Sequence, residues 1–356
     1  MKGKAMNGFR ATLVSVFMLS VGSLAASAAR AETPQEFYSH HPVSFYIGYP
    51  AGAAYDIYAR LVGRFIGKHI PGQPAVIMKN MPGASSLILA NALAHTLPRD
   101  GSVFGALFER IGLEPLVGAT NARFDGTKFG WLGSVLKVTD VCMFWHTALA
   151  KTIEDARHQE VIIGTAGNAG NSGLAPRILN TFLGTRFKLV GGYGGADLFL
   201  AMERRETQAR CGMSWGGLKA SKPDWLAQKK VNIVIQTALK KHPELSDVPL
   251  VMDLISKPED RIALEYLFAT QEMGRPLATP PGVPEDRVVA LRQAFDETMR
   301  DPEFLEAARR ANLDVDPIPG AEVQAIMQRL YKTPQEVIER VETIRGIADA
   351  GRSGEK

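Results

Sequence analysis

The sequence predicts an α/β protein of two packed domains, each a sheet flanked by helices. Three observations predict it. Apolar, β-rich runs alternate with helix-period runs; the alternation stops near the middle and restarts; and the chain is long enough for two cores. About 325 of the 356 residues follow an N-terminal targeting pattern, whereas one domain usually holds ~100–200 residues.

The first series opens with "VSFYIGY" (43–49), a buried strand bounded by Pro50 and Gly52. A helix follows, with Ile57, Leu61, Phe65 and Ile66 at helical intervals. "AVIMKN" supplies a second strand, and Leu87, Leu89, Ala90, Leu93 and Ala94 mark a second helix. "SVFGALF" (102–108) is a third strand. Strand–helix–strand–helix–strand implies a parallel sheet with crossover helices. The second series follows a connection near 135–146. "EVIIGTAG", "FKLVGGYGG", "TQARCGMSW" and "VNIVIQTAL" read as strands, with helices over "GLAPRILNTFL" and "ADLFLAMERRE". From Pro280 onward the chain is helical, with Val288, Leu291, Phe295 and Met299 on one stripe, and the last 25 residues read as a charged amphipathic helix.

Residues 1–31 have the form of a secretory signal peptide: Lys2, Lys4 and Arg10, an apolar stretch from Ala11 to Leu24, then two Ala-x-Ala tripeptides. That stretch is shorter than the ~20 residues of an ordinary spanning helix. Its removal takes four basic residues and no acidic one, so the formal charge falls from +4 to zero. The alkaline balance therefore belongs to the targeting segment, and no nucleic-acid partner is expected. An oxidising compartment would let Cys142 and Cys211 pair, and buried free thiols are the alternative.

Two loops carry the functional reading. "YPAGAAYD" (49–56) and "NMPGASS" (80–86) both lead from a strand directly into a helix, through small, uncharged residues. The first N–H groups of a helix lack intrahelical partners and sit at the positive end of its dipole, so such a turn suits an anion. Two of them from neighbouring strands would converge at the carboxyl edge of one sheet. The candidate contacts here are Tyr49, Gly52, Ala53, Ala54 and Tyr55, with Gly83, Ala84, Ser85 and Ser86. Asp56 would repel an anion and is read as capping its own loop.

The second series offers "GTAGNAGNSG" (164–173) and "GGYGG" (191–195), from which Thr165, Asn168, Tyr193 and Gly194 are candidates, with Trp215 as pocket lining. The first of these loops is neither a dinucleotide fingerprint nor a P-loop. "GMSWG" (212–216) fits the G-x-S-x-G nucleophile elbow. An elbow serine needs a downstream acid and histidine, and the only histidine after Ser214 is His242, 28 residues on. The seven histidines show no metal-ligand spacing. No metal, cofactor or catalytic step is expected.

At these loops the chain resembles the extracytoplasmic solute receptors of tripartite tricarboxylate transporters, the Bug-type family. The resemblance rests on "YPAGAAYD", "NMPGASS", "RFDGTKFGWLGS", "GGYGGADLFLAMERRE" and "GRPLATPPGVPEDRVVALRQAF", five segments in order along nearly the whole mature chain. It implies a two-lobed, type II-like periplasmic binding fold with the ligand cleft between the lobes. The first lobe would take 32–141 with 269–356, the second 142–268. It also implies a small organic carboxylate held mainly by backbone groups, so the 80–86 loop would dispense with an arginine. The partner would be a two-subunit membrane permease, and the receptor a periplasmic monomer. Ala53 and Tyr55 depart from the family's second glycine and small residue, and a phenol at Tyr55 would narrow the pocket or add a stacking face. The alternatives are a periplasmic serine hydrolase using Ser214 and a ligand sensor without a transport role. With no histidine in the assigned loops, binding of an ionised ligand is expected to vary little from about pH 6 to 8.

Overall fold

Strands β1 (Val43–Ile47), β2 (Val76–Asn80) and β3 (Val103–Ala106) lie side by side and parallel, with β1 in the middle. In this computed structural model the described residues are 32–52, 54–117, 121–166, 171–193 and 197–345. The expected signal peptide lies outside them, as do the candidates Ala53, Asn168 and Gly194 and the end of the C-terminal helix. From Thr33 onward the described residues form one compact unit.

Two sheets organise it. The first adds β4 (Gly130–Ser134), β10 (Pro276–Thr279) and β11 (Ile318–Pro319), in the order β11-β4-β10-β3-β1-β2. The second has the order β7-β6-β8-β5-β9, from β5 (Asp140–Trp145), β6 (Val161–Gly164), β7 (Phe187–Val190), β8 (Ala209–Ser214) and β9 (Val231–Thr237). Both are mixed where the alternation predicted parallel sheets. β10 runs antiparallel to β3 and β4, and β5 antiparallel to β8 and β9. In each sheet an antiparallel strand stands at a crossing: β10 where the chain re-enters the first sheet and β5 where it enters the second.

The helix Ala54–Ile66 buries Tyr58, Leu61, Val62 and Ile66, whereas Ile57, placed on the apolar stripe from sequence, is 44% exposed. Tyr58 takes the inward position one residue on. Phe45, Phe104, Leu291 and Phe295 fill one face of the first sheet. Another apolar cluster runs without a break from Leu89 and Trp131 to Phe144 of the second sheet and Leu179 of the helix Asn171–Leu183. The C-terminal helix Gln335–Arg345 packs on the helices Asn171–Leu183 and Pro258–Ala269 beside the second sheet, and Arg340 pairs with Asp260. No described helix is long and apolar enough to cross a membrane.

The two chain crossings between the sheets, 135–139 and 270–275, run bonded to each other. Val138 N–H donates to Gln271 at 2.8 Å, Gly274 N–H to Leu136 at 2.9 Å, and Val135 N–H to Arg275 at 3.2 Å.

Candidate ligand-binding site

Parallel pairing of β1 with β2 and β3 sets three strand ends side by side, and the loops after them form one edge. They are locked together. Gly48 N–H donates to Ala106 O at 3.1 Å, and a side chain at Gly48 would run into Ser86. Phe108 N–H donates to Ser86 Oγ at 2.9 Å. Asn80 Nδ2 donates to Tyr49 O at 2.9 Å and to Asp56 Oδ1 at 2.7 Å.

Asp56 is 2% exposed and ties the first loop: it accepts Gly52 N–H at 2.8 Å and Arg60 Nε at 2.9 Å. Burial pushes its carboxyl up, but the bonds from Arg60, Asn80 and Gly52 outweigh burial and hold it below the usual carboxylate range. Its side chain is thus spent on the loop.

The second loop is a left-handed turn. Gly83, Ala84, Ser85 and Ser86 have φ of 143°, 43°, 51° and 68°. Three consecutive L-residues in that region cost roughly 1–2 kcal/mol each, a strain of the kind that persists where surrounding structure fixes a functional turn. No side chain caps the helix Leu87–His95 that follows. Ala84 and Ser85 are exposed beside this helix start, as are Gly52 and Ala54 in the first loop.

Several sequence candidates take supporting positions. Ser86 is fully buried and its hydroxyl accepts the Phe108 amide, so it joins the strand ends and offers nothing to a ligand. Tyr55 stacks on Tyr49 with centroids 4.2 Å apart and planes 7° apart, and the Arg275 guanidinium lies 4.0 Å from its ring centre. Groups so close must occupy opposite faces, so Tyr55 has no ring face left for a ligand. Tyr49 is half-buried at the outer end of this stack. Burial first, then the Glu109 charge, pushes its phenol up to about 12, against a Ser85 hydrogen bond and Arg275.

In the second sheet, Thr165 is buried, with its amide on Val190 O at 2.8 Å, and Tyr193 N–H donates to Thr165 O at 3.4 Å. These two residues therefore share the carboxyl edge of β6 and β7. Trp215 donates its indole N–H to Glu244 at 2.6 Å and packs with Met213 and Leu218, which places it in the second sheet's own apolar cluster. Ser214 has an ordinary φ of −64° and its hydroxyl accepts Gly217 N–H at 3.2 Å, as a helix N-cap. His242 accepts Glu244 N–H through Nδ1 at 3.1 Å. Cys142 on β5 and Cys211 on the adjacent β8 form a disulfide.

The charged residues of the site were not legible in the loops. A cavity of about 30 Å³ between the sheets is lined by Glu109, Arg110, Asp140, Asn171 and Gln271, among others. Asp140 Oδ2 accepts Asn171 Nδ2 at 3.1 Å and Gln271 Nε2 at 3.3 Å, joining β5, the start of the helix Asn171–Leu183 and the return crossing. Burial pushes Asp140 up to about 6, opposed by Gln271 and Arg275. Burial pushes Glu109 up to about 7, opposed by Arg275, its own amide and Arg110, with Asp140 adding to the rise. Arg275, just before β10, reaches the first loop from 220 residues along the chain and packs on the Tyr55 ring, while the 80–86 loop itself carries no charged residue. The expectation of a flat pH response rested on the absence of a titrating group in the assigned loops, and Glu109 stands beside them with its carboxyl held above the usual range by burial. The signals were present but weak: "FER" breaks an apolar strand, Asp140 heads "DVCMFW", and Arg275 precedes a fully buried strand.

Two helix-flanked sheets joined by paired crossings give the fold class of two-lobed periplasmic binding proteins. Within that class the chain is similar to the TctC-type receptors. A TctC solute-binding protein from Polaromonas superposes with a TM-score of 0.68 at 19% identity, over 85% of this chain and 99% of that one. R. palustris Rpa4515, solved with adipate, gives 0.59 at 17% identity, over 86% and 98%. In sequence, the chain is 25% identical over 334 residues to a UPF0065 protein of the TAR-I ttuE-ttuC' intergenic region of Agrobacterium vitis, covering 89% of this chain and 87% of that protein. No family model matches the sequence. The resemblance read from the five sequence segments is borne out.

Proposed function

We propose that the protein is the periplasmic solute receptor of a tripartite tricarboxylate-type transporter, capturing a small organic carboxylate and delivering it to a two-subunit membrane permease. One observation carries this reading. The loops after β1 and β2, with exposed small residues at a helix start, share one sheet edge with the loop after β3, whose Glu109 lines the cavity between the sheets. Such an edge offers backbone N–H groups to an anion. The adipate bound by Rpa4515 belongs to the same ligand class.

In this reading residues 1–31 direct secretion, and the lobes are 32–141 with 269–356 and 142–268. The C-terminal helix then straps the first lobe to helices of the second. Ala53, Ala54, Gly83, Ala84 and Ser85 hold the carboxylate, Gly52, whose N–H is taken by Asp56, leaves room for it, and Asn168, Tyr193 and Gly194 close over it. The receptor acts as a monomer, and its work is binding and closure about the paired crossings, without a chemical step.

The test is a thermal-shift panel of mono-, di- and aromatic carboxylates on the mature protein, since a ligand that binds only the folded state raises its midpoint. At least one carboxylate should shift it in a saturable way. A panel without a shift, or ester turnover abolished by Ser214→Ala, would overturn the reading.

A further inference from the structure

Glu109 occupies the one strand-end loop of the edge that the carboxylate reading leaves unused. It follows Phe108, whose amide is bonded to Ser86, so it stands beside both anion-facing loops. Its Oε2 is buried and has no hydrogen-bond partner. Buried polar atoms in native proteins nearly always have one, and an exception asks for an explanation. Tyr55 Oη, Gln271 Oε1 and Arg275 Nε, all in or next to the same cleft, are likewise buried without a partner. A cavity left polar in this way is fitted to something that brings its own donors and acceptors.

Resting on the carboxylate reading, we propose that Glu109 is a specificity-determining residue of this site: it takes up a proton as the ligand binds and, as the neutral acid, donates its O–H to a ligand oxygen. A Glu109 carboxylate, an ionised ligand and one proton from solvent give a neutral Glu109 whose O–H···O⁻ bond faces the ligand.

The surroundings favour this. The groups facing Glu109 are Arg275 from the return crossing, its neighbour Arg110, Asp140 from β5 and Tyr49 from the β1 loop. Burial raises its carboxyl to about 7 against the pull of the two cations, with Asp140 adding to the rise. A ligand carboxylate entering beside it adds a second like charge, and two neighbouring carboxylates in a shared site hold a proton between them. Charge-assisted O–H···O⁻ bonds are also among the stronger ones. The site would thus select ligands that present an anionic oxygen to Glu109. It would bind them more tightly as pH falls towards 6.

The experiment is isothermal titration of malate, adipate and benzoate in buffers of different ionisation enthalpy, on wild type and on Glu109→Gln. For a ligand that binds, wild type should take up about half a proton at pH 7 and close to one at pH 8, and its Kd should rise about tenfold from pH 6 to 8. Glu109→Gln, which cannot titrate, should take up none and keep a flat Kd across that range. Binding by wild type without proton uptake overturns the inference and leaves the carboxylate reading standing. Uptake that persists in Glu109→Gln also overturns it and moves the proton to Asp140 or Tyr49. If none of the three binds and the wider panel also fails, the receptor reading falls and takes this inference with it.

Discussion

The Arg275 guanidinium lies 4.0 Å from the centre of the Tyr55 ring, on the face opposite Tyr49, whose ring is stacked 4.2 Å away. This three-layer stack joins the first ligand loop to the crossing by which the chain re-enters the first sheet. A desolvated cation–π contact is worth up to ~2 kcal/mol. Arg275→Met should therefore lower stability by ~1–3 kcal/mol in urea unfolding. Arg275→Lys should recover little of it, because a point charge cannot stack as a planar group does. Full recovery by lysine would mean that the charge alone matters.

Asp56 holds the loop through Gly52, Arg60 and Asn80. Asp56→Ala removes several charge-assisted bonds and should cost ~2–4 kcal/mol. Because the folded-state carboxyl sits below its ordinary value, its stabilisation is present above ~3.9 and is lost as pH falls through the folded value. Asp56→Asn should flatten that acid limb. Unfolding midpoints between pH 2 and 6 give the comparison, and an unchanged slope would show that the network contributes nothing there.

Glu109 has the opposite sign. Its folded-state value, about 7, lies above the ordinary glutamate value, so the folded protein binds the extra proton and stability falls as pH rises from ~4.3 to 7. A tenfold change in a carboxyl's proton affinity corresponds to ~1.4 kcal/mol, which sets roughly 4 kcal/mol as an upper limit here. Ligand-free Glu109→Gln should gain stability over wild type at pH 8 and little at pH 4. Equal gains at both pH values would argue against a raised carboxyl.

The Cys142–Cys211 disulfide closes a separation of 69 residues between adjacent strands of the second sheet. Loss of such a crosslink typically costs ~2–4 kcal/mol. Reduction should lower the melting temperature while ligand stoichiometry stays the same, since neither cysteine lines the cleft. Thiol titration of the oxidised, denatured protein should find no reactive group.

Much of the fold was readable because strands and helices alternate with clear punctuation: Pro50 and Gly52 end one strand, Pro82 and Gly83 follow another. The residues of the two anion-facing loops were readable for the same reason. Tertiary pairing was less so. β10 reads as four apolar residues, and nothing local says that it inserts antiparallel between β3 and β4. Ile57 and Tyr58 both fit an apolar stripe, and only packing against the sheet decides which turns inward. Arg275, Asp140 and Glu109 were missed because each lies far in sequence from the others and becomes a site only where the two crossings meet. Tyr55 was read as narrowing the pocket or adding a stacking face, but a ring's free face depends on what stands behind it. Here Arg275 does.

The central claim is that a carboxylate sits on the left-handed turn at 83–86. Gly83 has a φ of 143° and exposed neighbours on one side, while a side chain there would press on the flexible end of Ile88. Valine at this position would crowd the approach to the backbone and resist the positive φ. The direct measurement is calorimetric titration of the tightest-binding carboxylate into wild type and Gly83→Val, with circular dichroism to show that both are folded. Losing one or two charge-assisted hydrogen bonds, at ~1.5–3 kcal/mol each, should weaken binding roughly tenfold to several hundredfold, while Ser214→Ala, away from the loops, should change it much less. Wild-type affinity in a folded Gly83→Val would contradict the account and move the ligand off this loop.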